Sequence, residues 1–169
     1  MKFEEKTFYV AWPDYVDLKV SIRWTAPAMH DVLFSNHVAE DDEAYFYAIT
    51  ARCRGAWYAY YIGMVYDQSA SLRHRQGDHV ERLAELKRRH PDLNFGISLG
   101  VPDFNEVCFD RRMIEEIEGL LIYSNWHEDM INIRKVDFFC SPRQIHVKNT
   151  GFSDHLEKEV FYGVTYRSD

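Results

Sequence analysis

Ala44-Tyr45-Phe46-Tyr47-Ala48-Ile49-Thr50 and Trp57-Tyr58-Ala59-Tyr60-Tyr61-Ile62-Gly63-Met64-Val65-Tyr66 are two runs dense in aromatic and β-branched residues. Between them lies Ala51-Arg52-Cys53-Arg54-Gly55, a short connection ending in glycine. Two such runs around a Gly-containing link predict a β-hairpin. Downstream, the composition changes. Leu72 to Arg89 places Val80, Leu83, Ala84 and Leu86 at helical spacing, with Pro91 as a stop and Gly77 as an internal weak point. Asn94 to Val101 alternates through Phe95, Ile97, Leu99 and Val101, a strand that Pro102 is expected to end. Asp110 then predicts an N-cap for a helix from Arg111 to about Ser124, with Met113, Ile114, Ile117, Leu120 and Leu121 as its apolar stripe.

Outward from this centre the pieces are shorter. Phe8 to Trp12 and Val16 to Trp24 read as strands around the turn Pro13-Asp14; Val16, Leu18, Val20, Ile22 and Trp24 alternate strictly. Thr25 to Asp42 yields no clear element, and Glu40-Asp41-Asp42-Glu43 reads as a loop. Past Asn132, strands are expected at Val136 to Phe139, Gln144 to Val147 and Glu159 to Tyr166, with a turn at Asn149-Thr150-Gly151 between the last two. The fold class is therefore α+β: a small, mostly antiparallel sheet flanked by helices, core order β-β-α-β-α, with extra strands at both termini.

At 169 residues the chain suits one domain, with a core over 44–132 and terminal additions at 1–43 and 133–169. A domain of this size needs no disulfide or metal staple. Cys53, Cys108 and Cys140 are widely spaced and include no C-x-x-C pair, so free buried thiols in a reducing compartment are expected. Met1 to Lys6 carries Glu4 and Glu5 and no apolar signal region, and no run approaches a membrane span. The expected compartment is the cytoplasm.

A net charge of −7 argues against bulk nucleic-acid affinity. Ser71 to Pro91 runs against it: Arg73, Arg75, Arg82, Lys87, Arg88 and Arg89 face only Asp78, Glu81 and Glu85. That segment suits contacts to phosphates, and equally suits a solvated helix with cations at its C-terminal turn. Arg75 and His79, four residues apart, project to one side of a helix. A guanidinium fork matches phosphate oxygens, and an imidazole beside it can donate or relay a proton. Tyr61 ends a run just before Gly63. Glu118 shares a helical row with Ile114 and Ile122, whereas Glu115 and Glu116 follow Arg111 and Arg112 on theirs. Glu118 is thus the carboxylate expected at the core's edge, where it needs a cation or a metal.

Tyr61-Ile62-Gly63, then Leu72 with Arg75 and His79, then Glu118-x-x-Leu121-Ile122 followed by Asn132, resemble the pattern of the GIY-YIG nucleases. The resemblance spans about Ala44 to Asn132. The best match to the family's first motif, Tyr45-Phe46-Tyr47, keeps only the final tyrosine. The resemblance implies a metal-dependent endonuclease acting on DNA. It implies that Glu118 holds one Mg²⁺ or Mn²⁺ ion, Arg75 neutralises the transition state, and Tyr47 or Tyr61 orients the attacking water with help from His79. It implies that Asn132 steadies substrate or tyrosine. Arg73, Arg82, Lys87, Arg88 and Arg89 are candidate DNA contacts, and a homodimer would serve double-strand cutting. Two other readings stand beside it: a related nucleic-acid-binding or regulatory protein without cleavage, and a protein-interaction module.

The remaining features read as structural. His127-Glu128-Asp129 is expected in a solvated loop, since three consecutive residues do not face one ion. His146 and His155 are expected at the surface or on strands. Phe8, Trp12, Trp24 and Trp57 are expected in the core.

Overall fold

A computed structural model describes residues 16–29, 43–67 and 77–163. The elements, in chain order, are β1 (Leu18–Trp24), β2 (Ala44–Cys53), β3 (Ala56–Tyr66), α1 (Gly77–Arg89), β4 (Phe95–Asp103), α2 (Arg111–Ser124), β5 (Ile145–Gly151) and β6 (Glu159–Tyr162). The six strands form one curled sheet in the order β3-β2-β4-β1-β5-β6. Every neighbouring pair is antiparallel except β1 and β5, which run parallel from Leu18↔Ile145 to Trp24↔Gly151. The class is α+β with a mixed sheet. The expected strand at Phe8 to Trp12 and the helical residues before Gly77 lie outside the described residues, as do Arg73 and Arg75.

The hairpin is tighter than its sequence predicts. Arg54 and Gly55 both adopt left-handed backbone, with φ of 50° and 88°. Two such residues make the two-residue turn that matches strand twist, so pairing extends to Cys53↔Ala56. A register shift at Ile49/Thr50 leaves Tyr60 as an extra residue in β3. Pro102 does not end β4. The strand continues to Asp103, and Ile22 pairs with Pro102. Pairing with β2 stops at Gly100, so the missing N–H interrupts no rung on that side.

The two faces of the sheet are covered differently. On one, Phe46, Ala48 and Ile62 meet Ile114, Ile117 and Leu121 of α2 in the main core, with Leu18, Val20, Ile22 and Trp24 of β1. On the other, Ile49, Ala51 and Phe95 meet Leu86 and Leu83 of α1. Helix α2 begins as its sequence predicts, with the Asp110 carboxylate accepting the Met113 N–H at 2.8 Å.

Several expectations are overturned. Val136 to Phe139 forms no strand: Lys135 has φ 66°, Phe138 is exposed, and Phe139 packs back on the core. β5 runs through Asn149-Thr150-Gly151, where a turn was expected; Asn149 accepts the Trp24 indole N–H at 2.8 Å within the core. Cys108 and Cys140 are exposed and Cys53 half-buried, not buried thiols, because the first two lie in loops. His146 and His155 are buried. His155 packs edge-on to Trp24, and burial followed by nearby Lys158 pushes it down to about 4. His146 is on a strand as expected, its ring tilted 32° against that of Phe161 with centroids 4.1 Å apart. Trp24 is buried and Trp57 half-buried against Phe152. Among the described residues no helix is long and apolar enough to cross a membrane.

Candidate functional site

Among the described residues β3 is the outermost strand on its side of the sheet, and an uncovered edge offers a row of unpaired backbone groups. The segment that follows α2 lies along this edge. His127 Nε2 donates to the Ala59 carbonyl at 2.8 Å, and Ile131 N donates to the Tyr60 carbonyl at 2.9 Å. Asn132 then acts as a one-residue strand. Its Oδ1 accepts the Ile62 N–H at 3.0 Å and its Nδ2 donates to the Ile62 carbonyl at 2.8 Å. A side-chain amide offers the same donor–acceptor pair as a peptide. The segment carrying His127 thus secures β3.

Beside this seam opens a cleft of about 540 Å³. Tyr61 and Met64 of β3 form its floor, Arg82 of α1 one wall, and Glu115, Glu118 and Ile122 of α2 the other. Ile131, Asn132, Ile133, Arg134 and Lys135 close the rim. Tyr61 and Glu118 belong to opposite faces of the sheet, and they share a cavity because it wraps round the edge strand. The Arg82 guanidinium lies over the Tyr61 ring, 4.7 Å from its centroid.

Tyr47 and His79 sit beneath the cleft and do not line it. Tyr47 is 1% exposed, with its ring 5.8 Å from that of Tyr61 and 5.1 Å from that of His79. Gly63, paired with Tyr47 across the hairpin, leaves room for this: a Cβ there would fall 2.6 Å from Tyr47 Cζ. Tyr60, by contrast, is buried among His90, Phe95 and His127, and burial, then Cys53 and Asp129, push its phenol up to about 12.

The carboxylates of α2 divide otherwise than expected. Glu116 is the more buried, at 9% side-chain exposure against 19% for Glu118. Arg143, from the loop before β5, donates to Glu116 at 2.7 Å, and Arg112 at 3.2 Å. The Glu116 carboxylate holds the Arg143 guanidinium above its ordinary value. Glu118 faces the cleft, and its Oε2 accepts from Lys135 Nζ at 2.7 Å. Lys135 also donates to the Glu115 carbonyl at 2.9 Å.

The cleft thus brings together Tyr61, Glu118, Asn132 and Arg82. It excludes Lys87, Arg88 and Arg89, which are exposed at the end of α1, Arg89 pairing with Glu85. Two lining cations escaped the sequence reading, Arg134 and Lys135. The adjacent basic pair two residues after Asn132 was the available signal.

Among the described residues no group of three His, Cys, Asp or Glu side chains could cage a metal ion. Two carboxylates line the open cleft, Glu115 paired with Arg111 and Glu118 paired with Lys135. A hard cation such as Mg²⁺ can be held through one carboxylate because it keeps several waters; of the two here, Glu118 is the one the sequence singles out. No family model matches this chain, and neither does any curated protein or solved structure.

Proposed function

We propose that this chain is a divalent-metal-dependent DNA phosphodiester hydrolase of the GIY-YIG kind. The observation that carries the reading is the shared cleft of Tyr61, Arg82, Glu118 and Asn132. The element order also supports it: hairpin, helix, strand, helix, with β2 held between β3 and β4.

Under this reading Arg82, Arg134 and Lys135 receive the phosphodiester, with Arg75 adding a guanidinium to the developing charge on the pentavalent phosphorus. Glu118 holds one Mg²⁺ or Mn²⁺ ion, which supplies Lewis-acid polarisation when bound. Of the two candidate phenols, Tyr61 is assigned the role of orienting the attacking water, because it lines the cleft. Tyr47, itself backed by His79, packs against its ring. Asn132 fixes the strand that carries Tyr61 through the neighbouring Ile62 peptide. A homodimer would present two such clefts to the two strands of a duplex.

A second reading, a nucleic-acid-binding protein without cleavage, is favoured by the Lys135 ammonium already seated on Glu118 and by the eroded first motif. Supercoiled plasmid incubated with Mg²⁺ or Mn²⁺ separates the two. The hydrolase nicks it, and Glu118→Gln and Arg75→Ala each abolish nicking while melting stays near wild type. Equal nicking by wild type and both variants defeats the proposal. Salt-sensitive DNA binding that persists in EDTA, without nicking under any metal, establishes the second reading. Absence of both leaves a protein-interaction module.

A further inference from the structure

We propose that Lys135 is a resident cation at Glu118, one that leaves for a phosphodiester entering the cleft and so opens the carboxylate to a divalent metal. This rests on the metal-binding role proposed for Glu118. Three features show that the lysine is seated by design of the chain and not by a chance surface pairing. Its ammonium has two acceptors on α2, the Glu118 carboxylate at 2.7 Å and the Glu115 carbonyl at 2.9 Å. Its stem crosses α2 over Gly119, where a Cβ would fall 3.0 Å from Lys135 Cδ and 2.8 Å from Phe139 Cε2. A glycine inside a helix is disfavoured, so the cutaway needs a reason, and the crossing provides one. Its backbone is left-handed at φ 66°, a region a lysine rarely adopts.

An ammonium and a dication repel, so a lysine seated on one carboxylate oxygen weakens the binding of a metal to the other. A metal at Glu118 is therefore held more tightly once Lys135 moves away from Oε2. Arg82 and Arg134 line the same cleft, so a phosphodiester drawn to them offers the ammonium new acceptors. Metal and phosphodiester then raise each other's affinity, as linkage demands.

The test is Mn²⁺ binding, read as loss of the free-ion electron paramagnetic resonance signal, with and without a phosphorothioate-linked DNA duplex that resists cleavage. Wild type is expected to bind Mn²⁺ weakly alone and about tenfold more tightly with the duplex. Lys135→Met keeps the stem over Gly119, and it is expected to bind Mn²⁺ more tightly than wild type without DNA and to gain less from the duplex than wild type does. Glu118→Gln removes the site in both backgrounds. Lys135→Gln provides the same comparison if the Met variant melts early. Unchanged Mn²⁺ affinity in both Lys135 variants overturns the proposal, as does Mn²⁺ binding that survives Glu118→Gln. Metal-dependent nicking with unchanged affinity in the Lys135 variants sinks this inference and leaves the hydrolase standing. A Glu118-dependent site uncovered by Lys135→Met in a protein that never nicks DNA does the reverse.

Discussion

Replacing Gly63 with alanine tests whether Tyr47 is locked beneath the cleft. The added Cβ would lie 2.6 Å from Cζ, 2.7 Å from Oη and 2.8 Å from Cε1 of Tyr47. Carbon atoms rest about 3.5–4.0 Å apart, so the ring must retreat by about 1 Å. It has little room: Tyr47 is 1% exposed, in a cluster with Tyr45, Val65, Ile97 and Leu99, and His79 stands 5.1 Å away. Overpacking of this kind costs about 1–3 kcal/mol. For a chain of this length that lowers the melting temperature by about 2–4 °C per kcal/mol. The sign is diagnostic, because Gly→Ala at an open position stabilises by about 0.4–1 kcal/mol. Urea unfolding of Gly63→Ala in wild-type and Tyr47→Leu backgrounds gives the coupling. Leucine lacks all three contacted atoms, so the alanine should cost at least about 1 kcal/mol less there. Tyr47→Phe removes only Oη and should rescue little. A Gly63→Ala protein as stable as wild type, or additive with Tyr47→Leu, would falsify the packing that supports Tyr61.

Asn132→Ala deletes both bonds to the Ile62 peptide; about 1–3 kcal/mol is lost, and hydrogen exchange at the Ile62 amide accelerates while that at Ile49 does not. Glu116→Ala leaves Arg143 without its carboxylate and is expected to destabilise by about 2 kcal/mol in urea, against about 1 kcal/mol or less for Glu118→Ala; the reverse ranking would contradict the burial of the two. His155 titrates near 4 in the fold instead of 6.5, so the unfolded chain takes its proton first as pH falls. Its contribution is complete above about pH 6.5 and declines towards pH 4, by up to about 3 kcal/mol. His155→Phe should flatten that part of the stability–pH curve, and an unchanged slope would show the imidazole is not held neutral.

What could be read in advance follows interaction range. Helix α2 was legible to the residue because its signals are local: Asp110 caps the third amide on, and the apolar stripe repeats within fourteen residues. The hairpin was legible for the same reason, apart from a turn whose tightness depends on Arg54 adopting a left-handed conformation. The parallel pairing of β1 with β5 joins residues more than a hundred positions apart, and nothing in either strand specifies its partner. Glu118 was singled out by its helical row as the carboxylate at the core's edge, and it lines the cleft. Its greater burial than Glu116 was misjudged because Arg143 arrives on Glu116 from a distant loop. Lys135 was missed on the same ground: its reach to Glu118 depends on the chain doubling back across Gly119. Phe139 belongs with it. Read as a strand residue, it instead fills the space that the helical glycine leaves open.

The position of β3 in the sheet is what makes a shared site physically reasonable. In a central strand, Tyr61 facing α1 and Glu118 from α2 would be separated by a full sheet, with neighbouring strands blocking any route between them. At an edge the separation is one strand wide, and a cavity can pass round it. Such an edge needs cover, or it would pair with another chain. A full seventh strand would provide cover but would also fill the space the cleft occupies. The chain uses a sparser device, in which one imidazole, one backbone amide and one asparagine amide engage β3 at Ala59, Tyr60 and Ile62. Beyond Ile62 the strand borders the cleft at Met64, and between them Gly63, lacking a side chain, seats Tyr47. Adding any side chain at Gly63 therefore disturbs the floor of the cleft through the ring beneath it, without touching Glu118, which makes the two ends of the site separable by mutation.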